Sequence, residues 1–198
     1  MHIEALTNQA FASCDLTLIC AYPRDPATAL AIRQVHPSLL DGAAMPSSDH
    51  LPADRFLASY PLPPPSQLGR PQLTRVLDRV SQLPALRQAA RHHLIGAGLT
   101  TDRGADFVLA VIEVASNAVE HGVPPAAVCL WTNSASVTCQ ISDNGYFTKP
   151  LAGLLPPPHG RRRGRGLWLA YQLCDQLYLW PRPTTIRLHM NSAPSTPS

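Results

Sequence analysis

The spacing of apolar positions along the chain separates its helices from its strands. Between Asp102 and Glu120 they surround most of a helical circumference: Phe107, Val108, Val111, Ile112, Val114, Ala115, Ala118 and Val119. Repeats at i, i+3, i+4 and i+7 predict a helix with a broad buried face. Thr100 or Thr101 can cap its start, His121 falls in its last turn, and Gly122 supplies its stop. Upstream, Leu73 to Leu77 predicts a strand, and Pro84 to Ile95 a helix ended by Gly96 and Gly98. Downstream the period drops to two. Val128–Thr132 and Val137–Ser142 read as paired strands around Asn133-Ser-Ala135. A helix over Gly166–Cys174 and strands over Gln176–Trp180 and Thr184–Met190 complete the series. This order predicts an α+β fold, a two-layer sandwich with helices on one face of a mainly antiparallel sheet.

The first sixty residues pattern more weakly. Leu16 to Ala21 is a short apolar run suited to a buried strand, and Pro26 to Val35 reads as a helix ending before His36-Pro37. That is too little to close a core alone. The 21 prolines cluster from Pro61 to Pro65, with Pro71 beyond, and again at Pro156–Pro158. The first cluster predicts a stiff linker and the second a long loop. The expected organisation is a strand-helix segment over 1–60, a linker over 61–71, a domain over 72–190 and a disordered tail over 191–198.

Composition narrows the class. A net charge of +3 on 198 residues is too small to argue for nucleic acid. Five cysteines, odd in number and without a CxxC pair, read as reduced thiols in a cytoplasmic protein. No apolar stretch approaches the roughly 20 residues of a membrane span, and no signal-peptide pattern opens the chain, so no membrane partner is expected.

Candidate chemistry concentrates in three segments. On the long helix, Asp106, Glu113, Asn117 and Glu120 fall on one stripe, so Glu113 and Asn117 point the same way one turn apart. Asn117 can give a neutral oxygen to Mg²⁺, and Glu113 can act as a general base. The bland alternative is a stripe facing solvent. Asp143 is in phase with Val137, Cys139 and Ile141, which places its carboxyl toward the buried side, where it needs a partner. An adenine amino group would serve, with Gly145 letting the backbone approach the ring; an Asx turn would serve as well. Finally, Arg161, Arg162, Arg163 and Arg165 lie among Gly160, Gly164 and Gly166, directly before Leu167-Trp168. Helix N-terminal amides and arginines both attract phosphate. A single arginine run without interleaved aromatics gives poor support for nucleic acid. Thr184 shares parity with Ile186, Leu188 and Met190, so its hydroxyl faces inward beside Asp143, unless it is simply a good strand former. His92 and His93 lack a metal-binding H-E-x-x-H spacing.

Glu113…Asn117, Asp143-Asn-Gly145 and Gly164-Arg-Gly166-Leu167-Trp resemble the N, G1 and G2 boxes of the GHKL ATPases. Ala118-Val-Glu-His-Gly122, Cys174-Asp175 and Thr184-Thr-Ile-Arg-Leu188 are similar to the actinobacterial histidine-kinase-like proteins related to anti-sigma-factor serine/threonine kinases. The resemblance covers Leu73 to Met190. Leu18 to Leu40, with Cys20-Ala-Tyr22, is similar to the end of a MEDS sensory domain. The resemblance implies a Bergerat fold and Mg-ATP as ligand. It assigns Asn117 to magnesium and Glu113 to the base. Asp143, Gly145 and Thr184 fall to the adenine side and Gly164 and Gly166 to the phosphates, with Arg163, Arg165 and Leu167 also expected to bind the nucleotide. It implies transfer of the γ-phosphate to a serine of a STAS-type anti-anti-sigma protein, with a sigma factor as second partner. A homodimer is among the assemblies it allows. A non-catalytic module that sequesters the same partners is the rival. Two departures stand out: Phe147 occupies the place of a second G1 glycine, and Pro181-Arg-Pro183 replaces a glycine-rich turn.

Overall fold

Pro26 has no amide hydrogen to lose at a helix start, and the Asp25 carboxylate accepts the Ala27 N–H at 3.0 Å. These two residues open the helix Pro26–Val35 in the N-terminal part of the chain. The computed structural model describes residues 2–15, 17–23, 25–60, 63, 65–149, 152–154 and 164–192. It divides into two compact units, Met1–Pro63 and Pro64–Ser198.

The first unit holds α1 (His2–Ala10), α2 (Pro26–Val35), a hairpin of β1 (Ser38–Asp41) and β2 (Ala43–Pro46), and α3 (Ala53–Ser59). Its buried centre is small: Ala5, Val35 and Phe56, with Leu51, Ala53 and Tyr60 packed around them. Polar contacts add to it, Asn8 Nδ2 donating to Val35 O at 2.6 Å and Tyr60 Oη to Gln34 Oε1 at 2.7 Å. The strand expected over Leu16–Ala21 does not form across Thr17–Ala21, and Leu16 lies outside the described residues. Leu18 is 55% and Ile19 79% exposed. A single strand needs a neighbour to take its backbone hydrogen bonds, and the only sheet described in this unit is the self-contained β1–β2 hairpin.

The second unit matches the expected architecture. It runs β3 (Leu73–Leu77), a 3₁₀ turn (Val80–Gln82), α4 (Leu83–Leu94), α5 (Thr101–Glu120), β4 (Ala126–Thr132), β5 (Ser136–Ser142), α6 (Gly166–Leu173), β6 (Gln176–Pro181) and β7 (Thr184–Asn191). The five strands form one antiparallel sheet in the order β3-β4-β5-β7-β6. Thr100 is the cap of α5, its hydroxyl accepting the Arg103 N–H at 3.3 Å. Alternate residues of the strands (Val128, Leu130, Val137, Cys139, Ile141, Ile186, Leu188, Met190) share one core with Phe107, Val108, Val111, Val114 and Ala115 of α5, Leu86 of α4 and Ala170 of α6. Fully burying a Val, Leu, Ile or Phe side chain contributes about 1.5–3 kcal/mol, so this core dominates the unit's stability.

The opposite sheet face is largely polar and covered in part, with Val76 and Tyr178 left exposed. Residues 66–69, within the expected linker, lie over part of it: Arg187 donates to Ser66 O at 2.8 Å and Trp131 Nε1 to Gly69 O at 3.1 Å. Arg187, outward by parity, is buried there, and Thr138 and Thr185 on the same face are buried as well, bonded to His189 and to Ser142. At the far end, Arg103 of α5 grips the Asp175 carboxylate at 2.8 and 2.9 Å, and Asp175 accepts the Asn191 N–H at 2.7 Å. Asn191 ends β7 and Ser192 N–H donates to Ala135 O at 2.8 Å, so the expected tail loses its first two residues to the fold. Residues 193–198 and Pro156–Pro158 lie outside the described residues.

Candidate functional site

Glu113 and Asn117 of the polar stripe on α5 lie against the N-terminus of α6. Asp106, Glu113 and Asn117 are half-buried, and only Glu120 is exposed, which is not the profile of a solvent face. Among the described residues neither the Glu113 carboxylate nor the Asn117 amide makes a side-chain hydrogen bond, although both are partly shielded from water. Gly166, the first residue of α6, sits directly on them. A methyl group there would collide with Glu113 Oε2 and stand 3.4 Å from Asn117 Nδ2. Such a methyl would also stand 3.2 Å from Glu113 Cβ, so the close approach of the two helices favours glycine at this point. Gly164, just before, has φ +87°, a left-handed backbone that favours glycine; Gly164 and Arg165 are exposed. Leu167 is buried in the core, so its side chain serves packing, with only its backbone at the helix start. Arg163, with Gly160, Arg161 and Arg162, lies outside the described residues.

The C-terminal end of α5 leads on to Asp143. His121 caps the helix with its N–H on Asn117 O at 2.9 Å. Gly122 has no left-handed φ, so it is not needed as the conformational stop that its position suggests. It is required for closeness instead: a β-carbon there would meet Asp143 Cγ at 2.6 Å. Asp143 is 5% exposed, inward as its parity predicts. Its Oδ1 accepts the Gly145 N–H at 2.6 Å and the Val123 N–H at 3.1 Å. The Asx-turn reading and the inward reading therefore both describe part of it. Among the described residues no donor reaches Oδ2, which keeps an accessible side and can still accept a hydrogen bond. Thr184 is likewise buried at 8%. Its backbone ties the region together, with Asp143 N–H donating to Thr184 O at 3.0 Å and Thr184 N–H to Gly145 O at 3.1 Å.

The fold thus joins Glu113, Asn117 and Gly166 at one end, and Gly122, Asp143, Gly145 and Thr184 at the other, with the last turn of α5 linking them. The role of Gly122 escaped the sequence reading because a glycine after a helix already has a sufficient local explanation. No three His, Cys, Asp or Glu side chains converge as a metal site among the described residues. A free amide oxygen, a nearby carboxylate and a bare glycine backbone suit Mg²⁺, which commonly takes one or two protein ligands and completes its shell with water and phosphate oxygens. A separate groove of about 590 Å³ between β3 and α4, lined by Arg75, Gln88, His92 and His93 among others, shares no residue with this site.

Residues 76–190 match the family model described as a histidine kinase-like ATPase domain. The curated proteins compared with the chain give no match.

Proposed function

Because the chain belongs to the histidine kinase-like ATPase family, we propose that it is a Mg-ATP-binding regulatory protein that phosphorylates a serine or threonine of a protein partner, in the manner of anti-sigma-factor kinases. The observation that carries this reading is Gly166 lying on both Glu113 and Asn117, which brings a base and a metal-holding amide to a helix N-terminus. In this reading Asn117 Oδ1 holds the magnesium, whose charge neutralises the phosphate oxygens. The start of α6, with Gly164, Arg165 and Gly166, receives the phosphates through its free amides and positive dipole. Asp143 Oδ2 accepts the adenine amino group, and the Thr184 hydroxyl borders the ring. Glu113 takes the proton of the partner's hydroxyl as its oxygen bonds to the γ-phosphorus, and the bond from that phosphorus to the β,γ-bridging oxygen breaks to release ADP. The partner is a STAS-type antagonist or a sigma factor, and the site of action is the cytoplasm. No helix of the described residues is long and apolar enough to cross a membrane. In this reading the first sixty residues correspond to part of a MEDS-like sensory segment.

Ligand-induced stabilisation tests it. Mg-ATP at a hundred times its Kd should add about 2.7 kcal/mol and raise Tm by several degrees. Asp143→Asn and Asn117→Ala should each remove the rise. Glu113→Ala should retain it and abolish phosphate transfer. Persistent transfer in Glu113→Ala would disprove the assigned base. Binding by the unaltered chain without any transfer would favour the second reading, a non-catalytic partner-sequestering module, which the bulky Phe147 beside the G1 segment supports.

A further inference from the structure

The two stretches that depart from the family pattern touch each other. The Arg182 guanidinium carbon lies 3.7 Å from the centroid of the Tyr146 ring. Next along, Phe147 N–H donates to Pro181 O at 3.1 Å, and Phe147 itself packs against the main core. The regular β5–β7 ladder ends at Ser142 opposite Thr185. Beyond it, the bonds Asp143 N–H to Thr184 O and Thr184 N–H to Gly145 O, both near 3 Å, continue the pairing into the loop. Residues 143–147 therefore wrap around the β6–β7 turn, and the Tyr146–Arg182 contact closes the wrap from outside, where Tyr146 is 47% exposed.

We infer that Tyr146 and Arg182 form a clasp that positions the nucleobase side of the site, acting on recognition of the adenine ring and not on the phosphates. This rests on the ATP-binding reading above. The clasp touches the loop that carries Asp143 and the turn that carries Thr184, and it leaves Glu113, Asn117 and Gly166 to other contacts. A loop containing Asn144-Gly145 loses conformational freedom when a ligand binds. Ordering it beforehand lowers that cost and keeps Asp143 Oδ2 and the Thr184 hydroxyl at fixed separation. Tyr146 and Arg182 are positioning residues on this account.

The test compares Mg-ATP with Mg-tripolyphosphate, which presents phosphates without a base, by calorimetry on the full chain. Arg182→Ala and Tyr146→Leu should each weaken ATP binding roughly two- to fivefold, as expected for one exposed cation–π contact. The double variant should be no weaker than either single one, Tyr146→Phe should bind ATP as the unaltered chain does, and tripolyphosphate binding should stay constant throughout. Equal weakening toward both ligands, additive effects in the double variant, or unchanged ATP affinity in Arg182→Ala and Tyr146→Leu while Asp143→Asn loses it, would overturn the clasp alone. Failure of the unaltered chain to bind ATP would overturn the functional reading and the clasp with it.

Discussion

The two units of this chain contain similar kinds of residue and reach very different densities of burial. Around Phe107, α5 packs against three consecutively paired strands, β4, β5 and β7, and two flanking helices, and among the described residues twenty-five buried apolar ones make one core. Around Phe56, three short helices share a core of three, and the hairpin Ser38–Pro46 leaves Leu40 and Met45 68% and 62% exposed. The difference lies in layering. A sheet presents a continuous apolar face that a long helix can cover, whereas short helices beside an isolated hairpin have little common surface to bury. The candidate chemistry follows the denser unit, because a half-buried Glu113 or a buried Asp143 can be held in place only by a rigid surround.

Phenylalanine deletion should sharpen the contrast most. Phe107→Ala should cost about 3–5 kcal/mol and shift the denaturant midpoint of the second unit sharply. Phe56→Ala removes the same atoms, but a unit this small has a core worth only about 3–5 kcal/mol in all, so the unit should unfold outright. Hydrogen exchange read by mass spectrometry would then show lost protection confined to residues 1–60. Lost protection across 72–190 as well would break the comparison.

A smaller effect concerns the clamp at the far end of the second unit. Burial pushes the Asp175 carboxyl up, but bonds from the Asn191 N–H and Arg103 outweigh it, so its pKa lies below the ordinary value. A depressed carboxylate contributes stability that is present above its unfolded pKa, about 4, and is lost as pH falls through the folded value. Asp175→Asn should therefore be less stable at neutral pH and show a shallower acid transition; an unchanged acid limb would remove Asp175 from the account. The smallest effect is chemical. Cys14 and Cys20 of the first unit are exposed, whereas Cys139 is buried. Burial pushes the Cys174 thiol up to about 12. Iodoacetamide at pH 8 should label the first pair well before Cys139 and Cys174, with no change in stability. Early labelling of Cys174 would show that the second unit opens more readily than its packing implies.

The order and type of elements in the second unit could be read from the chain because each has its own period and punctuation. Thr100 caps α5, Gly96 and Gly98 close α4 with left-handed backbones, and the alternation through Val137, Cys139, Ile141 and Asp143 gave the inward direction of the acid. These are local rules, acting over a few residues. The α1 helix, the β1–β2 hairpin and α3 were not foreseen, and the strand at Leu16–Ala21 was expected but is absent across Thr17–Ala21, because short segments take their form from partners that periodicity does not reveal.

The chain by itself determined the secondary elements of the ATPase unit, the layering of its sandwich and the phase of its chemical residues, since hydrophobic period and capping act within one element. Tertiary structure alone decided that Gly166 meets Glu113 and Asn117, that Gly122 makes room for Asp143, and that Tyr146 receives Arg182. Each of those contacts joins residues from different elements, and their spacing depends on how helices and strands pack against one another, a quantity that no local pattern encodes.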